Sequence, residues 1–403
     1  MAKNDAGVTK LDNGNWEYRF VMVVDGKKVT SRKRKDELGN PLTTKRAAIK
    51  ARQAAMKKAQ FGITHTAPTA KKTVAEVYKE YCEKGRSGKA YATIRKQDSL
   101  WNNHLCARFG KRHIDEISVA EIVDYLTELY YTDGLAFKYV ESFLKMFYLI
   151  FGQAYSRNYL DVDTYSKLCL NKGTKIHMPK MKTSEEDDVA IFTQEEIARM
   201  DEYFSGSNGE TAYLLGKYCG LRINECYGIR WENVNLEEGT ILIDRQMQYQ
   251  DGLIKLVSLK TRNAKRTVMM NDRLKVYFQK LAEERAAAVK NMAEAREQNQ
   301  TFITDLDGKM LSSLELVNSL PNGKIQTVNS MKYHSRTIKQ KLAIDFKFHY
   351  LRHTYGTHMA ELNTPPHLLC NQMGHGNIRV TQKYYIAVSQ TGLNILQNNL
   401  NQI

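Results

Sequence analysis

Two polar stretches divide this sequence of 403 residues into three parts. The first, residues 61–72, contains Pro68 and three threonines. The second, residues 173–190, contains Pro179 and changes from basic at Lys175 to acidic at Asp188. Because a single hydrophobic core seldom grows beyond about 250–300 residues, we expect separate domains at 1–65, 73–172 and 190–403. The patterns within these parts predict a multidomain, mainly α-helical fold with small β-sheets.

The chain carries an excess of positive charge. It has 60 lysines and arginines against 44 aspartates and glutamates, a formal net charge of +16. This favours a polyanionic partner, either nucleic acid or an acidic membrane surface. No apolar run approaches the ~18 residues of a membrane span, and the first residues lack the apolar core of a signal peptide. The six cysteines form neither a C-x-x-C pair nor a metal-like cluster, so we expect reduced thiols in a cytoplasmic protein.

The first part is a small basic module of three strands and a helix. Asn13-Gly14 and Asp25-Gly26 are typical of turns between strands. A two-residue turn at Asp25-Gly26 places Val21 opposite Thr30 and Arg19 opposite Arg32. One sheet face is then apolar and should pack on a helix from Lys45 to Gln60, through Ile49 and Met56.

The other sheet face is basic, and residues 1–72 hold 17 basic against 6 acidic side chains. Such a face is either a solvated cationic surface or a reader of the DNA major groove. Its candidate DNA-binding residues are Arg19, Lys28, Thr30, Arg32 and Arg34.

The second part reads as a bundle of four or five helices over residues 73–172. Thr73 and Ser118, each followed three residues later by a glutamate, are typical helix starts. A long apolar-periodic stretch after Phe137 supplies the core. Between the first helices lies a basic loop rich in small residues, which is either solvated or in contact with phosphates. Its candidate DNA-binding residues are Lys89, Arg95 and Lys96.

The third part carries a set of residues suited to phosphoryl transfer. His349 and Arg352 are three residues apart, so a helix places both on one face, where they can hold an anion. A loop then supplies His375, and a further segment supplies Tyr384 as a possible nucleophile. Earlier in this part, Arg222 follows a predicted helix end at Gly220, and Glu225 can orient it. Strands at about 241–249, 253–260 and 265–270 place Lys260 at the end of the middle strand.

This order of residues resembles the tyrosine recombinases, the phage-type integrase family, and is most like the integrases of conjugative transposons. The resemblance implies catalytic roles for Arg222, Lys260, His349, Arg352, His375 and Tyr384, with Glu225 supporting Arg222. It also implies that the basic module binds arm-type DNA sites and that the helical bundle binds the core site. A short tail with Leu393, Ile395, Leu396 and Leu400 should dock on its own domain or on a neighbouring protomer. The implied partners are double-stranded DNA, three further copies in a tetramer on DNA, and an excisionase or a DNA-bending host protein.

The chemistry of a DNA phosphodiester suggests a role for each residue. Arg222 and Arg352 can bind the phosphate and the charge that develops on it, so we expect no metal and no cofactor. Tyr384 attacks, His349 takes its proton, His375 donates to a nonbridging oxygen, and Lys260 protonates the leaving 5′-oxygen. The product is a 3′-phosphotyrosine, which a second DNA strand can reverse without ATP.

Several alternatives remain open at this point. Tyr385 adjoins Tyr384 and could attack instead, and Lys265 competes with Lys260. His353 is expected to turn away from the His349 face and to be structural. At the level of function, a type IB topoisomerase, a host chromosome-dimer resolution recombinase and a repressor with a relic active site are the competing readings. The separate basic module argues against the first two, and the full set of catalytic residue types argues against the third.

Overall fold

The computed structural model describes residues 7–24, 27–36, 39–60, 71–182, 190–295, 302–320, 322, 324–386 and 397–402. The chain divides into two compact units, residues 1–184 and 185–403. Among the described residues, no helix is both long and apolar enough to cross a membrane.

The first unit begins with an antiparallel sheet of three strands in the order β1-β2-β3, followed by one helix. These elements are β1 (Val8–Lys10), β2 (Trp16–Val24), β3 (Lys27–Lys33) and α1 (Lys45–Gln60). Arg19 pairs with Arg32 and Val21 with Thr30, so the predicted register is confirmed. The turn residues Asp25 and Gly26 lie outside the described residues.

The apolar face of this sheet packs on α1. Tyr18 and Phe20 are buried there against three alanines of the helix, Ala48, Ala51 and Ala55. Met56 packs at the edge of this core, but Ile49 is only partly buried. The expectation that Ile49 forms the contact is therefore wrong, because the helix presents its small alanine side chains to the aromatic rings.

The remainder of the first unit is helical, as predicted. Its helices are α2 (Val74–Glu80), α3 (Tyr91–Leu100), α4 (Cys106–Phe109), α5 (Val119–Thr127), α6 (Phe137–Ser156) and α7 (Val162–Tyr165). α2, α5 and α7 each continue into a π-helical turn, and another joins α3 to α4, so residues 71–182 form five helical rods. Thr73 and Ser118 cap the starts of α2 and α5 through their side chains. The core includes Phe109, Phe143, Phe147 and Phe151.

The polar stretch after α7 is partly fastened to this helical core. Ile176 is fully buried, and the Tyr148 hydroxyl donates to its carbonyl at 2.7 Å. The Tyr131 hydroxyl donates to the Lys180 carbonyl at 2.7 Å, and the Lys182 amide donates to the Tyr130 hydroxyl at 2.8 Å. The helical core therefore extends beyond residue 172, and residues 183–189 lie outside the described part of the chain.

The second unit combines helices with two small sheets. Its helices are α8 (Gln194–Phe204), α9 (Glu210–Cys219), α10 (Ile223–Cys226), α11 (Asp272–Ala295), α12 (Val328–Leu342), α13 (Phe348–Glu361), α14 (Pro366–Met373) and α15 (Ile378–Ile386). Its strands are β4 (Val234–Asn235), β5 (Thr240–Ile243), β6 (Arg245–Gln250), β7 (Leu253–Ser258), β8 (Arg266–Met269), β9 (Phe302–Thr304) and β10 (Met310–Ser312). The sheet orders are β4-β5-β8 and β10-β9-β7-β6.

The expectation of one strand over 241–249 is wrong, because Asp244 divides it. Its carboxylate accepts hydrogen bonds from Arg230 at 2.9 Å and from Arg245 at 3.3 Å. The residues before Asp244 pair with β8, whereas those after it form the predicted hairpin with β7. The hairpin that leads to Lys260 therefore belongs to a different sheet from its neighbour β5.

Candidate active site

Arg352 lies at the centre of the candidate site, in the second turn of α13. Its side chain is 1% exposed. Its two terminal nitrogens donate to the carbonyls of Gly220 at 2.5 Å and Met373 at 2.6 Å. Both acceptors lie at the C-terminal ends of helices, α9 and α14, where backbone carbonyls lack helical partners and carry partial negative charge. The carbonyl groups at the ends of α9 and α14 thus stabilise the buried positive charge of Arg352.

Gly220 ends α9 in the left-handed conformation, with φ +62°. A Cβ atom at this position would lie 2.5 Å from the Tyr355 ring. Glycine is therefore required both by the backbone conformation and by the close approach of α13. The turn brings the Gly220 carbonyl to Arg352 and places Arg222 two residues later, at the start of α10.

Glu225 anchors two further arginines. Its carboxylate accepts from Arg222 at 2.6 Å and from Arg266 at 2.9 Å, and it is 2% exposed. Burial alone would raise the pKa of Glu225, but the two guanidinium groups hold it below its ordinary value. Arg222 also donates to the Gly374 carbonyl at 3.3 Å, and its side chain remains 39% exposed. Arg222 can therefore reach a ligand while Glu225 and the Gly374 carbonyl hold its side chain in position.

Arg266 is a member of this cluster to which the sequence assigned no role. It lies at the start of β8 and donates to the carbonyls of Gln372 and Ala264 at 2.8 and 2.9 Å. Its side chain is 6% exposed. The one feature of the sequence that could have identified Arg266 is its position at the start of a predicted strand that closely follows Lys260.

His375 and Tyr384 pack together on the other side of Arg352. Their rings are stacked with centroids 6.1 Å apart. His375 Nδ1 shares a hydrogen bond of 2.8 Å with the Thr381 hydroxyl, which fixes the ring. Tyr384, on α15, lies against Gly356 of α13, where a Cβ atom would come within 2.9 Å of the phenol ring. The glycine lets α15 approach α13 closely enough to bury Tyr384.

The two adjacent tyrosines occupy different surroundings. Tyr384 is 6% exposed and lies close enough to Arg352 and Arg222 for both to act on its charge. Tyr385 is exposed, and its hydroxyl donates to the Thr364 carbonyl. The structure thus brings Tyr384, and not Tyr385, to the arginine cluster.

His353 lies on the same face of α13 as His349, so the expectation that it turns away is wrong. The two residues are four apart, which is a neighbouring position on a helix. Their ring centroids are 4.5 Å apart, and the His353 ring lies 6.1 Å from that of Tyr384. His349 is exposed on one side and lines a small pocket with Arg222, Asn224 and Gln246.

Burial and positive charge keep the site's imidazoles neutral, and burial keeps its phenol protonated. Burial, with Arg352 and Arg222 nearby, lowers the pKa of His375 to about 3. Partial burial, with the charges of His353, Arg352 and Arg222, lowers the pKa of His349 to about 4. Burial raises the pKa of Tyr384, and the arginines offset part of that rise. Neutral imidazoles can accept a proton, and a protonated phenol must lose one before it attacks.

Lys260 is not brought into this cluster. It is exposed in the bend that follows β7, two residues beyond the end of that strand. Lys265 is also exposed. In the described ranges, Lys260 makes no hydrogen bond or ion pair with another side chain. The same ranges contain no group of three or more His, Cys, Asp or Glu residues able to hold a metal ion.

The residues predicted to bind DNA lie on exposed surfaces. Arg19, Thr30 and Arg32 are exposed on the sheet, and Arg34, the residue after β3, is exposed and pairs with Glu17 at 3.0 Å. Lys28 belongs to β3, but its side chain lies outside the described residues. Lys89 is exposed in a loop, and Arg95 and Lys96 are exposed on α3.

A basic face on α12 is a further candidate for DNA contact that the sequence reading missed. Lys332, Tyr333, Arg336 and Lys339 follow a helical spacing and are all exposed. Their spacing of three and four residues was the signal that could have identified them.

Comparisons with known proteins agree with this fold. Residues 180–391 match the model of the phage integrase family. A tyrosine recombinase XerC-like protein of Caldanaerobacter subterraneus subsp. tengcongensis is 25% identical over 317 residues, covering 75% of this chain and 76% of that protein.

Two solved structures share the fold. The Tn1549 transposon integrase in complex with a circular intermediate DNA is 18% identical, with a TM-score of 0.62 over 81% of this chain and 99% of that one. A lambda integrase dimer bound to a core site is 14% identical, with a TM-score of 0.53 over 97% of each chain.

The fold and the family match together define an enzyme that cleaves and transfers DNA strands. The chain belongs to the phage integrase family, which confirms the resemblance to tyrosine recombinases. It is a site-specific DNA recombinase of the type found in mobile elements.

Proposed function

We propose that this recombinase integrates and excises a mobile element through a 3′-phosphotyrosine formed on Tyr384. The observation that carries the proposal is the buried Tyr384 phenol beside Arg352, Arg222 and the stacked His375 ring. These groups supply a nucleophile, positive charge and a hydrogen-bond donor, which are sufficient for transfer of a phosphodiester without metal or ATP.

In the first step, the Tyr384 oxygen forms a bond to phosphorus and the bond from phosphorus to the 5′-oxygen breaks. The phenol proton passes to His349, whose neutral imidazole can accept it. Arg222 and Arg352 bind the nonbridging oxygens as negative charge develops. With Nδ1 engaged by Thr381, His375 can donate to the same oxygens through Nε2. Lys260 protonates the leaving 5′-oxygen, and it must therefore approach the site when DNA is bound.

In the second step, a 5′-hydroxyl from another duplex attacks the phosphotyrosine, and every transfer runs in reverse. The phosphotyrosine retains the energy of the cleaved bond, so no nucleotide cofactor is consumed. The raised pKa of Tyr384 keeps the phenol protonated until a phosphate and a base are both in place. Because a protonated phenol is a poor nucleophile, Tyr384 does not attack other electrophiles before DNA is bound.

DNA contacts are assigned to three surfaces. The basic sheet face with Arg19, Lys28, Thr30, Arg32 and Arg34 binds arm-type sites. Lys89, Arg95 and Lys96 contact phosphates of the core site, and the exposed basic face of α12 adds further phosphate contacts. An excisionase or a DNA-bending host protein sets the balance between integration and excision.

Four protomers assemble on paired sites, because strand exchange requires two duplexes to be cut at four half-sites. Lambda integrase, which shares this fold, has been solved as a tetramer bound to a Holliday junction. A cleft of about 750 Å³ in the catalytic unit is lined by apolar side chains, among them Ile197, Tyr355 and Leu368. We assign this cleft to the apolar C-terminal tail of a neighbouring protomer. Of that tail, Leu393, Ile395 and Leu396 lie outside the described residues, and Leu400 is 54% exposed.

The decisive experiment traps the covalent intermediate on a DNA substrate nicked near the crossover. Tyr384→Phe removes only the hydroxyl, so it should bind this substrate with unchanged affinity and form no adduct. Tyr385→Phe is the matched control and should form the adduct at the normal rate. The wild-type adduct should also form in excess EDTA, since arginines supply the positive charge. An adduct with Tyr384→Phe, or strict dependence on magnesium, would overturn the mechanism.

A further inference from the structure

Gln246, in the edge strand β6, connects the active site to the segment that carries Lys260. Its side-chain amide nitrogen, Nε2, donates to the Ser258 carbonyl at 2.8 Å. Ser258 is the last residue of β7 and lies two residues before Lys260. Gln246 also lines a pocket of about 250 Å³ together with Arg222 and His349. The side chain therefore belongs both to the pocket beside the active site and to the end of the strand that leads to Lys260.

The backbone of β6 is held close to α10, the helix that follows Arg222. Gly228 lies two residues after α10, and its N–H donates to the Glu225 carbonyl at 3.0 Å. A Cβ atom at Gly228 would lie 2.8 Å from the Cα atom of Gln246. The two backbones therefore pack directly on each other, without a side chain between them. This contact sets the position of Gln246 relative to Arg222 and Glu225.

The chain at Lys260 is held through the two residues that precede it. Leu259 is partly buried and packs on the core of the catalytic unit, and the Ser258 carbonyl accepts the hydrogen bond from Gln246. The Lys260 side chain itself is exposed. Because a lysine ammonium group sits on a flexible stem of four carbons, the backbone position sets which points the ammonium group can reach. A shift of the chain at Ser258 changes that range.

We propose that Gln246 is a positioning residue that holds the base of the Lys260 side chain where its ammonium group can protonate the leaving 5′-oxygen. The inference rests on the proposed role of Lys260 as general acid. The proton comes from Lys260, and the Gln246 amide is unchanged throughout the reaction. Small displacements of a reacting group carry a large kinetic cost, so loss of the bond to Ser258 weakens proton transfer without removing the acid.

Two substitutions of Gln246 remove its hydrogen bond in different ways. Gln246→Met keeps the length of the side chain but has no N–H group. Gln246→Asn keeps the amide but shortens the side chain by one methylene group, so the nitrogen no longer reaches the Ser258 carbonyl. Gln248→Met is the matched control. Gln248 lies two residues further along β6, on the same face of the sheet, and its amide oxygen accepts instead from Gln250 at 3.0 Å.

The measurement is the single-turnover rate of adduct formation by the full chain on two nicked substrates, one ordinary and one with sulfur in place of the leaving 5′-oxygen. Sulfur leaves as a thiolate without a proton, so the second substrate needs no general acid. Gln246→Met and Gln246→Asn should slow cleavage of ordinary DNA by about tenfold, less than Lys260→Ala does, because the acid is displaced rather than removed. Both should cleave the sulfur substrate within about twofold of the wild-type rate. Gln248→Met should match the wild type on both substrates.

The double variant Gln246→Met with Lys260→Ala should be no slower than Lys260→Ala alone, because both changes act on one proton transfer. Full-rate cleavage of ordinary DNA by both Gln246 variants would overturn the positioning role. The same conclusion follows if both variants remain slow on the sulfur substrate, or if the two effects multiply in the double variant. Lys260→Ala, tested alone, keeps the two proposals distinct. If sulfur fails to restore its rate, the general acid itself is misassigned, whereas restoration combined with any of the contrary results overturns only the role of Gln246.

Discussion

At the scale of single residues, the active site depends on side chains whose charge is set by burial. His375 is 8% exposed and lies near three guanidinium groups, and its pKa is about 3. In the unfolded chain the same imidazole titrates near 6.5. Between these values the unfolded state binds a proton that the folded state does not, so acid destabilises the fold.

We therefore expect the free energy of unfolding to fall as pH decreases from about 6.5 towards 4. His375 should contribute up to about 1.4 kcal/mol per pH unit to this slope, and nothing above the unfolded pKa. His375→Gln should flatten the slope, measured by denaturant unfolding at a series of pH values. His367→Gln, which changes an exposed imidazole of α14, is the matched control and should leave the slope unchanged. Equal slopes for wild type and His375→Gln would contradict the burial argument.

The spacing of residues along the sequence was sufficient to identify most of the candidate catalytic residues. It did not identify all of the residues that surround them in the folded chain. It selected Arg222, Arg352, His375 and Tyr384, which the structure brings together. It misjudged His353, although positions four apart share a helix face, because the family motif drew attention to positions three apart. It assigned nothing to Arg266, since a contact between a strand start and a carboxylate 41 residues earlier is tertiary.

At the scale of elements, local signals were accurate where a turn or a cap fixed the geometry. Helix α1 has the predicted bounds Lys45–Gln60, and β2 and β3 have the predicted register. Thr73 caps α2 as the motif indicated. The break at Asp244 could not be predicted, because the run from Thr240 to Gln250 alternates like one strand. The break depends on Arg230, which only the folded chain brings near.

The β6–β7 hairpin leads to Lys260 and leaves it exposed beyond the last paired residue, Ser258. Lys260→Ala should slow cleavage of ordinary DNA by about 10²–10⁴-fold, the usual contribution of a general acid. A substrate with sulfur in place of the leaving 5′-oxygen needs no proton on departure, so it should restore the rate of Lys260→Ala. Lys265→Ala should cleave both substrates at the wild-type rate. A slow Lys260→Ala reaction with the sulfur substrate would show that this lysine does something other than protonate the leaving group.

At the scale of the whole molecule, positive charge is concentrated at the N-terminal end. Residues 1–65 hold 15 basic and 6 acidic side chains. Their removal should flatten the logarithmic dependence of DNA affinity on salt by about 0.9 for each lost phosphate contact. Cleavage of core-site DNA should persist, because every candidate catalytic residue lies beyond residue 190.

The matched comparison changes charge without removing the module. Replacing Arg19, Lys28, Arg32 and Arg34 by glutamine should reproduce the flatter salt dependence. Replacing Lys45, Arg46 and Lys50, which are exposed on α1, should have a smaller effect. If both sets act equally, the sheet face is not a specific DNA-binding surface. Loss of cleavage by a folded truncation would show that the module belongs to the active assembly.

Assembly is the second property of the whole molecule that can be tested. Deleting residues 390–403 should weaken tetramer formation on paired sites, measured by light scattering, while single-site binding in gel-shift assays is retained. Leu362→Ser with Leu368→Ser, two exposed side chains of the apolar cleft, should have the same effect. Leu306→Ser, an exposed leucine outside the cleft lining, is the control. Unchanged tetramers after both the deletion and the cleft substitutions would refute docking of the tail.

The guanidinium groups around Arg352 repel one another. Arg222 and Arg266 are both paired with the buried carboxylate of Glu225, and Arg352 lies close enough to feel the same negative charge. Helix ends offset this repulsion only with partial charges, so the unliganded fold carries an energetic cost that an anion can remove. Any ligand that binds only the folded state stabilises it. Recognition of the phosphodiester and stability of the catalytic unit are therefore linked quantities: the enzyme reaches its most stable form when a DNA backbone completes its charge balance.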